Sequence, residues 1–312
     1  MNDIQAVTDS SEYKNPYYTV QVSYAGTGAE FRLNDIPFYL ENRNGQVDIE
    51  LPVGDKMISG INEISIIVFP YGDDNGYKDA WENEDSRAEA TLYVREKNEA
   101  KENRKILSHI KIFPGLSPEQ AASGTLIITG QEHAILDYKT KPRQFPDVRF
   151  DSQIVISRKT HSLNIPFPRW EWQDGKNIED NKANYSSLLE AYRKVYTIHK
   201  NQDLDALKKI THKLAITQNI INHYNNLDKA YETLNLEESW KSDEQELFKF
   251  IEGDLATRQG MKLDIMANGK LARIVNDGQI QPILYIIKSQ RMKIKYRYNF
   301  YLNKEGEWIL IM

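Results

Sequence analysis

From Met292 to Leu302 the chain alternates without interruption. Met292, Ile294, Tyr296, Tyr298, Phe300 and Leu302 fall on one side, and Lys293, Lys295, Arg297, Asn299 and Tyr301 on the other. Successive side chains of a strand point to opposite faces, so this pattern predicts one long strand with a buried aromatic face and a basic outer one. Asn303 to Glu307 turns the chain into Trp308-Ile309-Leu310-Ile311-Met312, a further strand. The apolar face carries neither carboxylate nor imidazole, so a cavity lined by it offers little acid–base chemistry. The pattern points to binding rather than catalysis.

The first half reads as β-structure. Tyr18, Val20, Val22 and Tyr24 alternate with Thr19, Gln21 and Ser23 up to the turn Gly26-Thr27-Gly28, and Phe31 to Leu33 follows. Val47, Ile49 and Leu51 alternate up to Pro52, and Ile61 to Phe69 is apolar enough to be buried on both faces. Ala88, Ala90, Leu92 and Val94 alternate with Glu89, Thr91 and Tyr93, and strands are also predicted at 106–113, 125–129, 134–138 and 153–157. Many short strands punctuated by Gly, Pro and Asn predict an antiparallel β-sandwich over residues 1–162. The charged run 95–105 reads as a solvated connection between strands; the alternative is a boundary there that divides the β-half in two. Residues 163–183, with Pro166, Pro168, Trp170 and Trp172, read as an aromatic, proline-bearing connector, because proline prevents regular helix.

Helical periods follow in 184–312. Ser187 and Glu190 have capping-box spacing, and Leu188, Tyr192, Val195 and His199 share one face. Asp203 is placed to cap a longer helix striped by Leu207, Ile210, Leu214, Thr217, Ile221 and Tyr224, and shorter helices are predicted at 231–236 and 244–255. Strands at 262–266, 271–276, 282–288, 292–302 and 308–312, joined by Asn268-Gly269, Asp277-Gly278 and Lys304–Gly306 turns, complete an antiparallel meander. Helices before a meander make an α+β order, and with the β-half a multidomain α+β chain.

Residues 184–312 resemble the nuclear transport factor 2-like fold on the strength of Pro282-Ile283-Leu284-Tyr285-Ile286-Ile287, the alternating 292–302 run and the turn into Trp308-Ile309-Leu310. The resemblance implies helices packed across a curved antiparallel sheet with a cone-shaped cavity between them, and Tyr192, Tyr224, Tyr285, Tyr296 and Tyr298 as its candidate lining. Enzymes of that family place a His or Asp in the cavity, which the Met292 face lacks. The family holds enzymes, ligand binders and protein-binding modules, so fold alone does not select among them. In general character the whole chain is similar to immunity proteins paired with bacterial secreted toxins, the type VI secretion class included. That likeness implies a cytoplasmic, non-enzymatic partner of a cognate protein toxin.

Composition narrows the classes. A chain of 312 residues is long for one core. With 40 basic against 45 acidic residues, the net charge of −5 does not favour a nucleic-acid partner, and the basic residues Lys288, Arg291, Lys293, Lys295 and Arg297 read as a solvated sheet face. The chain has no cysteine, which excludes disulfides, thiolate nucleophiles and cysteine-ligated zinc. The segment Met1–Val7 shows no basic and then apolar leader, and no run approaches the roughly 18 apolar residues of a membrane span, so a cytoplasmic protein without membrane contact is expected.

The search for chemistry returns little. His109, His133, His161, His199, His212 and His223 show no i, i+4 or H-E-x-x-H relation, and neither a G-x-S-x-G elbow nor a P-loop is present. The expectation is no catalytic residue, metal or cofactor. Two acidic, aromatic clusters are the candidate partner contacts. Asp73, Asp74, Tyr77, Asp79, Trp81, Glu82 and Glu84 form one; its spacing departs from the twelve-residue calcium loop. Glu237, Glu238 and Trp240 form the other, with a helix start near Asp243 and Glu244 as the plainer reading. Carboxylates would steer a basic partner and buried Trp and Tyr would anchor it. Two alternatives stand beside this. One is a small-molecule or catalytic cavity in 184–312; the other is an exported carbohydrate-binding sandwich, hinted at by Trp170 and Trp172.

Overall fold

The computed structural model describes residues 13–41, 45–70, 81, 85–114, 135–137, 155–252, 260–276, 280–289, 292–295 and 297–311. Antiparallel sheets and α-helices are both present, and contacts divide the chain into two compact units, Met1–Arg169 and Trp170–Met312. The division falls inside the segment 163–183. The acidic cluster is outside the described residues except for Trp81, as are the 125–129 strand, the Asp277-Gly278 turn and Tyr296.

The first unit is all β among its described residues, apart from short 3-10 turns. Its strands are β1 (Pro16–Ala25), β2 (Gly28–Leu33), β3 (Ile36–Glu41), β4 (Gln46–Pro52), β5 (Gly60–Phe69), β6 (Arg87–Glu96), β7 (Lys105–Ile112), β8 (Ile135–Asp137) and β9 (Val155–Leu163). They form one sheet ordered β4-β1-β6-β7 and another ordered β3-β2-β5-β9-β8. The period-two pattern explains the buried face: Tyr18, Val20, Val22 and Tyr24 of β1 and Ala88, Ala90, Leu92 and Val94 of β6 are all sequestered. β5 is central in its sheet and buried on both faces from Ile64 to Phe69, whereas Ile61 at its start is 66% exposed. The charged run 95–105 connects the β6–β7 hairpin, with a single 3-10 turn at Lys101–Asn103.

One strand was not legible in the pattern. Ile36–Glu41 contains Pro37, yet it pairs with β2 as an edge strand, where a missing N–H costs little. The preceding turn holds Asn34 and Asp35 at positive φ, and buried Asn62 accepts from the Asn34 amide at 2.8 Å and from Ile58 N–H at 2.9 Å. The Gly26-Thr27-Gly28 turn is structural. Gly28 is packed so tightly that a Cβ there would lie 2.0 Å from the Phe69 ring, and buried Thr27 holds the Phe69 carbonyl and the Trp81 indole N–H at 3.0 Å each.

In the second unit α1 (Lys182–Asn201) is capped by Asn181, whose side chain accepts from Asn184 N–H, so the helix starts before the Ser187–Glu190 box that the sequence suggested. Ser187 instead accepts from the Trp308 indole at 2.9 Å. Asp203 does cap the next helix, but the predicted long stripe breaks into α2 (Leu204–Ile210) and α3 (His212–Ile221) at buried Thr211. The Thr211 hydroxyl donates to the Leu207 carbonyl one turn back, a bond that commonly bends helices. Two short helices follow, α4 (Leu227–Leu234) and α5 (Glu238–Lys241).

The helix predicted over 244–255 is not formed where the chain is described. Gln245–Leu247 is strand β10, paired with β13 (Leu284–Ile287), and Phe248 and Ile251 N–H groups continue onto the Leu284 and Pro282 carbonyls. Sheet pairing outweighs helix propensity there. The remaining strands are β11 (Lys262–Met266), β12 (Leu271–Val275), β14 (Met292–Lys295), β15 (Phe300–Leu302) and β16 (Trp308–Leu310). They assemble as β10-β13-β14 and β11-β12-β15-β16.

The long alternating strand is therefore two strands in two sheets. Between them, Gln281 replaces a neighbouring strand at Tyr298: its Oε1 accepts from Tyr298 N–H at 2.9 Å and its Nε2 donates to Tyr298 C=O at 3.1 Å. Alternation does not sort burial after this point, since Tyr298, Asn299, Phe300 and Tyr301 are all buried. Tyr301 is covered by the chain entering the unit. Its hydroxyl donates to Glu171 at 2.8 Å, Lys176 N–H bonds Leu302 C=O, and Gly175 approaches so closely that a Cβ would lie 2.9 Å from that carbonyl. Among the described residues, no helix is long and apolar enough to cross a membrane.

Candidate functional site

The interior of the second unit is built where α1 crosses the sheets. Leu188, Tyr192 and Val195 enter a core with Leu263, Ala272, Ile274, Ile283, Tyr298, Phe300 and Leu310. Tyr192 packs on Phe300 with ring centroids 4.9 Å apart and gives its hydroxyl hydrogen to the Tyr298 carbonyl at 2.9 Å. Burial pushes the Tyr192 phenol far above its ordinary range.

The same helix face delivers His199, one turn past Val195. Its side chain is 2% exposed and meets three other rings. Nε2 lies 2.8 Å from the Tyr298 hydroxyl, while Nδ1 faces the Tyr285 hydroxyl and the Trp240 indole nitrogen, each at 3.3 Å. Trp240 also donates to the Tyr285 hydroxyl at 2.9 Å. An indole N–H only donates, so Nδ1 is the acceptor and the imidazole proton belongs on Nε2. The result is a directed chain: Trp240 N–H to Tyr285 O–H, Tyr285 O–H to Nδ1, and Nε2–H to Tyr298.

A helix C-terminus would favour the imidazolium, but burial dominates here and pushes His199 down to about 4. At neutral pH the ring is uncharged and both of its nitrogens are engaged. A general base needs a proton affinity near the working pH and contact with a reacting atom. Burial holds the proton affinity of this imidazole below that range, and the ring is packed among three others. Among the described residues no three His, Asp or Glu side chains are grouped to hold a metal ion.

Comparison with protein-family models, curated proteins and solved structures returns no match to this chain.

Of the five tyrosines named from the sequence, Tyr192, Tyr285 and Tyr298 converge on this interior. Tyr224 does not: it is half-buried in the connection from α3 to α4 and bonds Thr233 of α4 at 2.9 Å. Trp240, named as a partner anchor, is half-buried with its N–H committed inward. Glu238 is exposed, and Glu237 pairs with Lys241 at 2.7 Å. Of the basic sheet face, Lys288 is tied to the Asp243 carbonyl at 3.0 Å, and Arg297 is exposed. His199 had a signal in the sequence, its place on the Leu188–Tyr192–Val195 face. A view confined to the strand missed that the opposing helix would supply the imidazole.

An open cavity of about 380 Å³ lies elsewhere in this unit, between α2, α4 and the turn leading into α5. Leu204, Tyr231 and Leu236 contribute its apolar surface, and Lys208, Asp228 and Glu232 are among its charged residues. Tyr231 donates its hydroxyl hydrogen to the Lys208 carbonyl at 3.1 Å, and the Lys208 ammonium stands 5.7 Å from the Tyr231 ring centre.

Proposed function

We propose that this chain is a non-enzymatic protein-binding module, an immunity protein that neutralises a cognate bacterial secreted toxin by direct occlusion. In this reading the first unit is a β-sandwich, its two sheets facing each other across the apolar rows of β1 and β6. The second unit is a nuclear transport factor 2-like domain, with α1 lying over sheets that share the bent 292–302 segment. The observation that carries the proposal is the filled interior: Tyr192, Tyr285, Tyr298, Phe300 and His199 occupy the space between helix and sheet where a catalytic member of that fold would hold substrate. Function is then displaced to the surface, where the acidic residues can steer a basic partner.

Co-expression with the product of the adjacent gene tests this. A one-to-one complex that survives dilution to micromolar concentration, and protection of cells from that product, is expected. Failure of both removes the proposal.

A second reading, a ligand-binding or catalytic cavity, draws on His199. It requires that ring to become accessible, and the test that closes the Discussion separates the two.

A further inference from the structure

The 380 Å³ cavity is lined by three carboxylates, those of Asp228, Glu232 and Glu237, and by the ammonium groups of Lys208 and Lys241. Asp228 and Glu232 are four residues apart on α4, so they project from one face, and like charges at that spacing destabilise a helix. Asp228 lies in the first turn, where the helix dipole favours a carboxylate; Glu232 lies near the C-terminal end, where the dipole opposes one. Both residues line the cavity. Lys229 offsets Glu232 at 3.0 Å and Lys241 offsets Glu237 at 2.7 Å, whereas Asp228 forms no ion pair among the described residues. Leu204, the Tyr231 ring and Leu236, which is 8% exposed, supply the smaller, apolar part of the lining.

The far wall is held from inside. α5 is a single turn; Glu237, which precedes it, and Lys241 at its end line the cavity, while Trp240 from the same turn is bonded to Tyr285 and His199 in the core. A wall fixed in this way is preorganised, so ordering it costs a ligand little.

We propose that this cavity receives a basic side chain, arginine or lysine, from the protein partner. The aliphatic stem of such a side chain lies along Leu204 and Leu236 and its cation meets Asp228 and Glu232, which is the way long basic side chains divide between apolar and charged surroundings. This rests on the protein-binding reading but names the contact within it.

The test titrates the full chain with N-acetyl-arginine amide and, as a control with a stem but no charge, N-acetyl-norleucine amide, followed by ¹⁵N NMR. The arginine probe is expected to shift the amides of Asp228 and Glu232 and the Trp240 indole saturably at millimolar concentration. Adding salt weakens it, and the exposed double substitution Asp228→Asn with Glu232→Gln weakens it about tenfold while thermal unfolding stays cooperative. No shift at these positions, or equal binding of the norleucine probe, overturns the proposal. If a complex with the adjacent gene product forms and the double variant binds it as tightly as wild type, the cavity is not the contact and only this inference fails. If no complex forms yet the arginine probe binds as described, the cavity assignment stands and the toxin-partner reading fails.

Discussion

Trp240 and His199 meet edge-on, with ring centroids 5.7 Å apart and planes inclined at 81°. The indole N–H faces imidazole Nδ1 from 3.3 Å and thereby fixes which nitrogen carries the proton. A surface turn, a helix and a sheet are joined at this contact, since Trp240 belongs to α5, His199 to α1, and their shared neighbour Tyr285 to β13.

Trp240→Phe keeps the ring but removes the donor at the head of the chain. It should cost about 0.5–1.5 kcal/mol in urea unfolding, the net worth of one hydrogen bond. His199→Phe removes the acceptor for Tyr285 and the donor to Tyr298 together and should cost more than Trp240→Phe. If the two are additive in the double variant, they do not form one network.

Stability should fall in acid through His199. Its folded value, about 4, lies below its ordinary 6.5, so between those values the unfolded chain binds the extra proton and folding weakens as pH drops. The contribution is fully present above pH 6.5, is lost progressively down to about pH 4, and is of the order of 3 kcal/mol. His199→Gln should flatten that part of the profile in unfolding curves recorded against pH. Glu89 acts lower. Its hydrogen bond with His109, at 2.7 Å, holds its carboxyl down to about 2, so its share is present above about 4.5 and is lost from there towards pH 2.

Much of the fold was legible because burial and the strand period agree. The rows at Tyr18–Tyr24 and Ala88–Val94 are buried as the alternation implies, and the turn at Asn268-Gly269 has both residues at positive φ. The failures share a cause. Where backbone groups find partners other than the next strand or turn, the local pattern misleads. Gln281 lets the chain leave one sheet for another at Tyr298; Thr211 bends a helix whose stripe is unbroken; and β13 recruits Gln245–Leu247 from a helical period. The interior site was half visible. Tyr285 lies on a strand and Tyr298 between two, while Tyr192 and His199 lie on a helix, and a side chain's direction along one element does not reveal what faces it across the core.

Gln281 should be sensitive for the same reason. Gln281→Leu leaves the Tyr298 N–H, a buried group, without its partner and should cost roughly 1–3 kcal/mol. Gln281→Glu keeps an acceptor for the N–H but loses the donor to the carbonyl, and it buries a charge. Denaturant unfolding should rank both below wild type. Wild-type stability in Gln281→Leu would mean that the bend has other support.

Gly28→Ala tests the turn of the first unit. A methyl group 2.0 Å from the Phe69 ring forces that ring or the β2–β5 pairing to shift, at roughly 1–3 kcal/mol or more. Pairing with Phe69→Ala, which opens the space, should recover part of the loss. A Gly28→Ala variant with an unchanged melting temperature would show that the strands have slack there.

The central claim is that the heart of the second unit is sealed by mutually bonded rings. Site-specific ¹⁵N NMR of the His199 imidazole in the full chain, followed from neutral to acidic pH, tests this most directly. The account predicts a neutral ring protonated on Nε2 that titrates at about 4, well below its ordinary 6.5. Titration near 6.5, or protonation on Nδ1 at neutral pH, would mean that the ring reaches water and is free of Trp240, and would contradict it.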